Sequence, residues 1–167
     1  MSDARQLFEE HHRAVYRYLR RRTGRPELAE DLAQEVFVRA LQGPPSDEPL
    51  RRPVAWLFRI ARNLLLNHLR ADSRRPASCP LEDRPLPGPE AEPSRRLDLD
   101  QALAALPTAE AEAFLLREVG GLSYEEIASL SGRTTDSIRS RIYRARTSLR
   151  AALRPSEGTL GPREVRA

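Results

Sequence analysis

The sequence predicts an all-α protein of two small helical domains joined by a proline-rich linker. Three observations carry this. Apolar residues recur at spacings of three and four through most of the chain, and no alternating apolar run of four or more positions marks a strand. Six of the 14 prolines (76, 80, 85, 87, 89 and 93) fall within 18 residues, a density that a helix interior or a central strand does not accept. The segments on either side of that stretch are both basic, and the stretch itself is acidic. Residues 1–75 carry 15 Arg against 10 acids, residues 76–94 one Arg against four acids, and residues 95–154 10 Arg against 8 acids. The tail 155–167 is balanced. Every one of the 28 basic residues is arginine, and with 24 acids the net charge is only +4 in 167 residues.

In the first segment the periodicity predicts a helix from about Asp3 to Arg22, stopped before Thr23-Gly24. A second helix carries Pro26 in its first turn, where the missing amide proton costs nothing, and ends before Gly43-Pro44-Pro45. Its inward side collects Leu28, Ala29, Leu32, Val36 and Ala40, with Phe37 at the border. Its outer side gathers Glu27, Asp31, Gln34 and Val38, flanked by Glu30 and Glu35. Acids on a basic segment do not suit phosphate, so this side is either plain solvated surface or, given Val38 and Leu41 nearby, a protein contact.

A third helix opens at Pro53 and runs to about Arg70, burying Val54, Leu57, Ile60, Ala61, Leu64 and His68. A second stripe on it holds Trp56, Arg59, Asn63, Asn67 and Arg70. Trp, two amides and arginines on one face suit stacking on unpaired bases and reading of their edges, although Trp56 also fits a place at the core edge. Arg74 and Arg75 would add phosphate contacts.

After the linker the sequence predicts a helix over Asp98 to Ala105 and another from Thr108 to Val119, stopped by Gly120-Gly121. Ser123-Tyr-Glu-Glu126 is a capping box. It opens a short helix with Ile127, Ala128 and Leu130 inward. Gly132 suits a left-handed turn, and Thr134, Thr135 or Asp136 can cap the next helix, which makes a helix-turn-helix. On that last helix Ile138, Ile142, Ala145 and Leu149 form the core stripe. Arg139, Ser140, Tyr143, Arg144, Thr147 and Arg150 lie opposite, a set suited to reading the major groove, with Arg141 and Arg146 placed to hold phosphates.

Other chemistries find no support in the residues. There is no Gly-rich phosphate loop and no nucleophile with a plausible base, so the chain is expected not to be an enzyme and to need no cofactor. His11 and His12 are adjacent and point to different faces of a helix, so a metal site is not expected. Cys79 is the sole cysteine and reads as an incidental loop residue. No apolar run approaches a membrane span and the first ten residues do not resemble a signal peptide, so a cytoplasmic protein is expected.

Four motifs, in this order, resemble the sigma-70 family of bacterial transcription initiation factors. They are Asp-Leu-Ala-Gln-Glu-Val-Phe-Val-Arg-Ala (31–40), Ala-Trp-Leu-Phe-Arg-Ile-Ala-Arg-Asn (55–63), Leu-Arg-Glu-Val-Gly-Gly-Leu-Ser-Tyr-Glu-Glu-Ile-Ala (116–128) and Ser-Ile-Arg-Ser-Arg-Ile-Tyr-Arg-Ala-Arg (137–146). The similarity is to the small extracytoplasmic-function type, which has only regions 2 and 4, and it covers residues 5 to about 153.

The resemblance implies that residues 1–75 form region 2, that 76–94 are a linker, and that 95–154 form region 4. Asp31, Gln34, Glu35 and Val38 would then dock on the coiled coil of the largest subunit of core RNA polymerase. The stripe from Trp56 to Arg70 and the loop Gly43 to Pro53 would engage the −10 promoter element as it melts. Arg139, Ser140, Tyr143 and Arg144 would read the −35 element as duplex DNA. An anti-sigma protein is an expected inhibitory partner of such a factor, and no residue identifies one. Two positions depart from the family pattern. The loop Gly43 to Pro53 lacks the aromatic residue and Arg-Gly seen in many relatives, and Asp136 stands where a glycine is usual. A different reading, a self-contained helix-turn-helix regulator, gives the acidic side of the second helix no polymerase to meet.

Overall fold

The computed structural model describes residues 4–44, 52–74 and 93–154. Among these residues it has seven helices and no strand: α1 (Ala4–Thr23), α2 (Pro26–Leu41), α3 (Pro53–Ser73), α4 (Pro93–Ala104), α5 (Thr108–Glu118), α6 (Tyr124–Ser131) and α7 (Thr135–Ala152). The greater part of the predicted linker, with Cys79, lies outside the described residues, as does the loop from 45 to 51.

Local chemistry sets the boundaries. Thr23 closes α1 by donating its hydroxyl to the Leu19 carbonyl at 2.9 Å, and Gly24 then turns the chain at φ 68°. Prolines open α2 and α3 at positions where their missing amide proton is unneeded. The same rule explains why α4 begins at Pro93, within the last two residues of the predicted linker: a first-turn proline starts a helix as readily as it forbids one further in. At α6 both halves of the capping box form. Ser123 Oγ accepts from the Glu126 amide at 3.1 Å, and Glu126 Oε2 accepts from the Ser123 amide at 2.7 Å. Gly132 ends α6 in the left-handed region, and Thr134, one of three expected caps, accepts from the Ser137 amide at 3.2 Å to begin α7.

In the N-terminal half α1, α2 and α3 pack on one another around Val15, Tyr18, Leu19, Ala29, Val36, Leu57, Ala61 and Leu65, all fully buried. In the C-terminal half α7 lies against α4, α5 and α6, and Ile138, Ile142, Ala145 and Leu149 form its buried stripe as expected. Those halves are not separate. The buried apolar residues of both form one continuous cluster, in which the Phe58 ring of α3 packs against Tyr18 and reaches Gly120. A Cβ at Gly120 would lie 2.7 Å from the Leu116 carbonyl oxygen, 2.9 Å from Leu122 Cδ1 and 3.2 Å from Phe58 Cε1. Only glycine fits there.

Two expectations for α3 need correction. Its buried side includes Phe58 and Leu65, while Val54 and Ile60 are only partly covered. His68 is not core. Its side chain is 29% exposed, with Nε2 3.1 Å from Asp72 Oδ2, because α3 continues one turn further than predicted and brings Asp72 beside it.

Candidate functional site

The last helix presents its polar side as the sequence suggests, with acids already in place against several of its arginines. Tyr143 is 72% exposed, and Arg139, Ser140 and Arg144 are exposed beside it. Arg144 Nε donates to Glu110 of α5 at 2.7 Å, and Arg146 pairs with Glu118 at the other end of the same helix, a hydrogen bond that holds its guanidinium above its ordinary pKa. Arg139 lies 3.6 Å from Asp136 and stacks over the Tyr124 ring at 5.6 Å, which Arg117 also approaches at 4.9 Å. Arg141 is half-buried. The structure thus brings Arg139, Ser140, Tyr143 and Arg144 onto one surface, while Arg146 is engaged by Glu118.

On α3 the side chains of Arg59, Asn63, Asn67 and Arg70 are exposed at spacings of three and four, and so share a face. Trp56 is half-buried and packs against the core, the core-edge place that the sequence also allowed for it. Arg74 lies just beyond the helix and is exposed; Arg75 is outside the described residues.

The third surface is the outer side of α2. Asp31 and Gln34 are exposed, Val38 is 49% exposed and Leu41, one turn on, 71%. Glu35 is half-buried and accepts from Arg39 Nε at 2.8 Å. Acid, amide and apolar groups therefore alternate down one ridge, the composition of a protein contact with a charged rim. Phe8 of α1, which the sequence reading did not single out, adds to the exposed apolar surface near α2 and meets Phe37 edge-on at 5.0 Å.

Missed altogether was a charged cluster between the halves. Glu112 of α5 is only 9% exposed. It accepts Arg62 Nε at 3.0 Å and Arg62 Nη2 at 3.4 Å, and lies 3.9 Å from Arg22 Nη2. The Tyr18 hydroxyl is buried beside them. Burial, and then the Glu112 charge, push its pKa well above the ordinary phenol value, so it stays neutral. A signal was present in the sequence: Glu112 precedes Leu115 and Leu116 by three and four residues, which places it on the buried side of α5.

Among the described residues no group of three or more His, Cys, Asp or Glu could hold a metal ion, and no helix is long and apolar enough to cross a membrane. Comparison with known proteins decides the family. Residues 7–75 match the model for sigma-70 region 2 and residues 96–149 that for sigma-70 region 4. RNA polymerase sigma factor YlaC of Bacillus subtilis is 32% identical over 86% of the chain and 88% of its own length. The chain belongs to the sigma-70 family. Within that family its relatives are of the extracytoplasmic-function type: the sigma factor SigE of Mycolicibacterium smegmatis is 36% identical over 87% of this chain, which spans 59% of the length of that relative. Among solved structures, the sigma factor RpoE of Bartonella quintana, in complex with the anti-sigma factor NepR, superimposes on this sigma factor with a TM-score of 0.69 at 25% identity, covering 93% of this chain and 99% of that one. CnrH in complex with the cytosolic domain of CnrY gives 0.62 at 29% identity, covering 90% and 86%.

Proposed function

We propose that this sigma factor is an alternative specificity subunit that binds core RNA polymerase and directs it to promoters carrying a −10 and a −35 element. The observation that carries the reading is the separation of three chemically distinct surfaces on one small chain. The acidic and apolar ridge of Asp31, Gln34, Glu35 and Val38 serves the coiled coil of the polymerase largest subunit. Trp56, Arg59, Asn63, Asn67 and Arg70 take the unpaired strand of the −10 element. Arg139, Ser140, Tyr143 and Arg144 read the −35 duplex, and Arg141 and Arg146 hold its phosphates.

Two weak reading modules suffice because the second contact is intramolecular once the first has formed. The 17 residues from 76 to 92 that precede α4 could span at most about 53 Å at about 3.1 Å per residue in polyproline II form, or roughly 15 base pairs at about 3.4 Å each. The factor contributes binding and strand separation, and phosphodiester chemistry belongs to the polymerase, so no cofactor is required. Its place of work is the cytoplasm, with chromosome and polymerase. An anti-sigma protein is its expected inhibitor, in keeping with the NepR complex of the Bartonella relative.

The test is transcription. Purified protein added to core polymerase of the same organism on genomic DNA should yield new transcript starts sharing two spaced elements. Asp31→Arg should abolish them by reversing charge on the α2 ridge, while leaving helix content unchanged. Starts that survive Asp31→Arg, or tight sequence-specific binding of a promoter fragment without polymerase at physiological salt, would favour the self-contained regulator instead.

A further inference from the structure

Arg139, Arg144 and Arg146 of α7 are not held alike. Arg144 and Arg146 give guanidinium donors to Glu110 and Glu118. Arg139 gives none to Asp136, which is 3.6 Å away, beyond hydrogen-bond length, and has a side chain 93% exposed. What lies under Arg139 is an aromatic ring. Its Cζ sits 5.6 Å from the centroid of Tyr124, and the Cζ of Arg117 sits 4.9 Å from the same centroid. Both are inside the distance at which a cation is drawn to a ring face.

The ring is fixed before any DNA arrives. Tyr124 is the first residue of α6, directly after Ser123 of the capping box, which sets the direction of the backbone there. Its side chain packs against the hydrophobic core. Arg117, in the last turn of α5, is tied down by donating to the Leu122 carbonyl at 2.8 Å and so braces the ring from its own helix.

A ring and a carboxylate confine a guanidinium in different ways. The N–H donors all lie in the guanidinium plane. A carboxylate occupies them, whereas an aromatic face engages the plane from above and leaves the edge open, and that edge is what bridges O6 and N7 of guanine. We propose that Tyr124 is a positioning residue for specificity: its ring confines Arg139 to the reading face of α7 with its donors free, and so sets the strength of discrimination at the base pair that Arg139 addresses. The proposal rests on the assignment of Arg139 to the −35 duplex. A long side chain already confined by a platform loses less freedom on binding, and that gain is realised only where the base offers matching acceptors.

The test uses the full chain with core polymerase on a promoter library randomised through the −35 element, where transcript yield reports the preference at each base pair. Tyr124→Leu keeps an apolar side chain and removes the ring. It should lower the preference at a single base pair by about two- to fivefold, the equivalent of one cation–π contact at an exposed site. Arg139→Ala should abolish preference at that same base pair, and the double variant Tyr124→Leu, Arg139→Ala should lose no more than Arg139→Ala alone. Tyr124→Phe should retain the wild-type preference, because the ring and not the hydroxyl does the confining. Pentafluorophenylalanine in place of Tyr124 keeps the shape of Phe and reverses the ring quadrupole, so it should behave as Tyr124→Leu does.

A magnetic resonance reading is independent of transcription. In the free protein the Nε proton of Arg139 should be moved upfield by the ring current, with the shift kept in Tyr124→Phe and lost in Tyr124→Leu. A folded Tyr124→Leu with unchanged base preference would overturn the proposal, as would an even loss across all base pairs, which a purely structural role gives. If Tyr124→Leu does not fold, a pentafluorophenylalanine variant as selective as Tyr124→Phe overturns it instead. A wild type with no base preference in this element would count against the assignment of Arg139 to the −35 duplex, and the ring-current shift would still decide whether Tyr124 holds that arginine.

Discussion

On α7, Arg139, Arg144 and Arg146 are each paired with a carboxylate, Asp136, Glu110 and Glu118, which each would have to leave in the DNA contact proposed for it. Exposed pairs of this kind contribute about 0 to 1 kcal/mol, and a bidentate arginine on guanine is worth about 1 to 3 kcal/mol, so the exchange runs toward the correct base pair. It is close to neutral elsewhere, which favours discrimination over bare affinity. Arg144→Ala should therefore cost about 1 to 3 kcal/mol on the preferred duplex and relax selection at one base pair, as a binding-site selection would reveal. Arg146→Gln should instead weaken all sequences alike and reduce the salt slope of binding by about one, read from titrations across salt concentration. Ser123 acts through the fold alone. Loss of its cap in Ser123→Ala should cost about 1 kcal/mol and lower the melting temperature by about 2 to 4 °C, with base preference intact.

At the scale of elements, what the sequence revealed was what is local. Caps, glycine stops and first-turn prolines act within four residues, so α2, α6 and α7 begin and end where short-range chemistry says. The core stripe of α7 was legible for the same reason: one helix face meets one set of neighbours. On α3 the wheel found Leu57, Ala61 and Leu64 and missed Phe58 and Leu65, because the buried side is widened by elements distant in sequence. Phe58 is covered partly by Gly120, 62 residues on. A glycine there looked like a helix stop and is also a steric requirement. Gly120→Ala should destabilise the fold by about 1 to 3 kcal/mol through overpacking against Leu116, Leu122 and Phe58, visible as a lower denaturant midpoint with an unchanged slope.

For the molecule as a whole, segment charges pointed to two independent modules on a string, and the structure joins them through one core. The proposed stripes could be drawn from the sequence because each lies on a single helix. Glu112 was not recognised because its partners, Arg22 and Arg62, belong to the other half. A shared core should unfold as one unit. Fluorescence of Trp56, the sole tryptophan, reports the N-terminal half, and far-UV circular dichroism reports all helices; their urea transitions should coincide in the wild type and split in Glu112→Gln.

Arg62 ties these scales together. It stands on the helix that carries the stripe proposed for the melted strand, and it donates to the Leu130 carbonyl near the end of the first helix of the helix-turn-helix. Linkage is reciprocal: if a duplex seated on α7 draws α6 away from Arg62 and so tightens the grip on unpaired bases, the unpaired bases must tighten the grip on the duplex by the same factor. A single guanidinium would then make the chain a coincidence detector, one that responds to two promoter elements together far more strongly than to either alone.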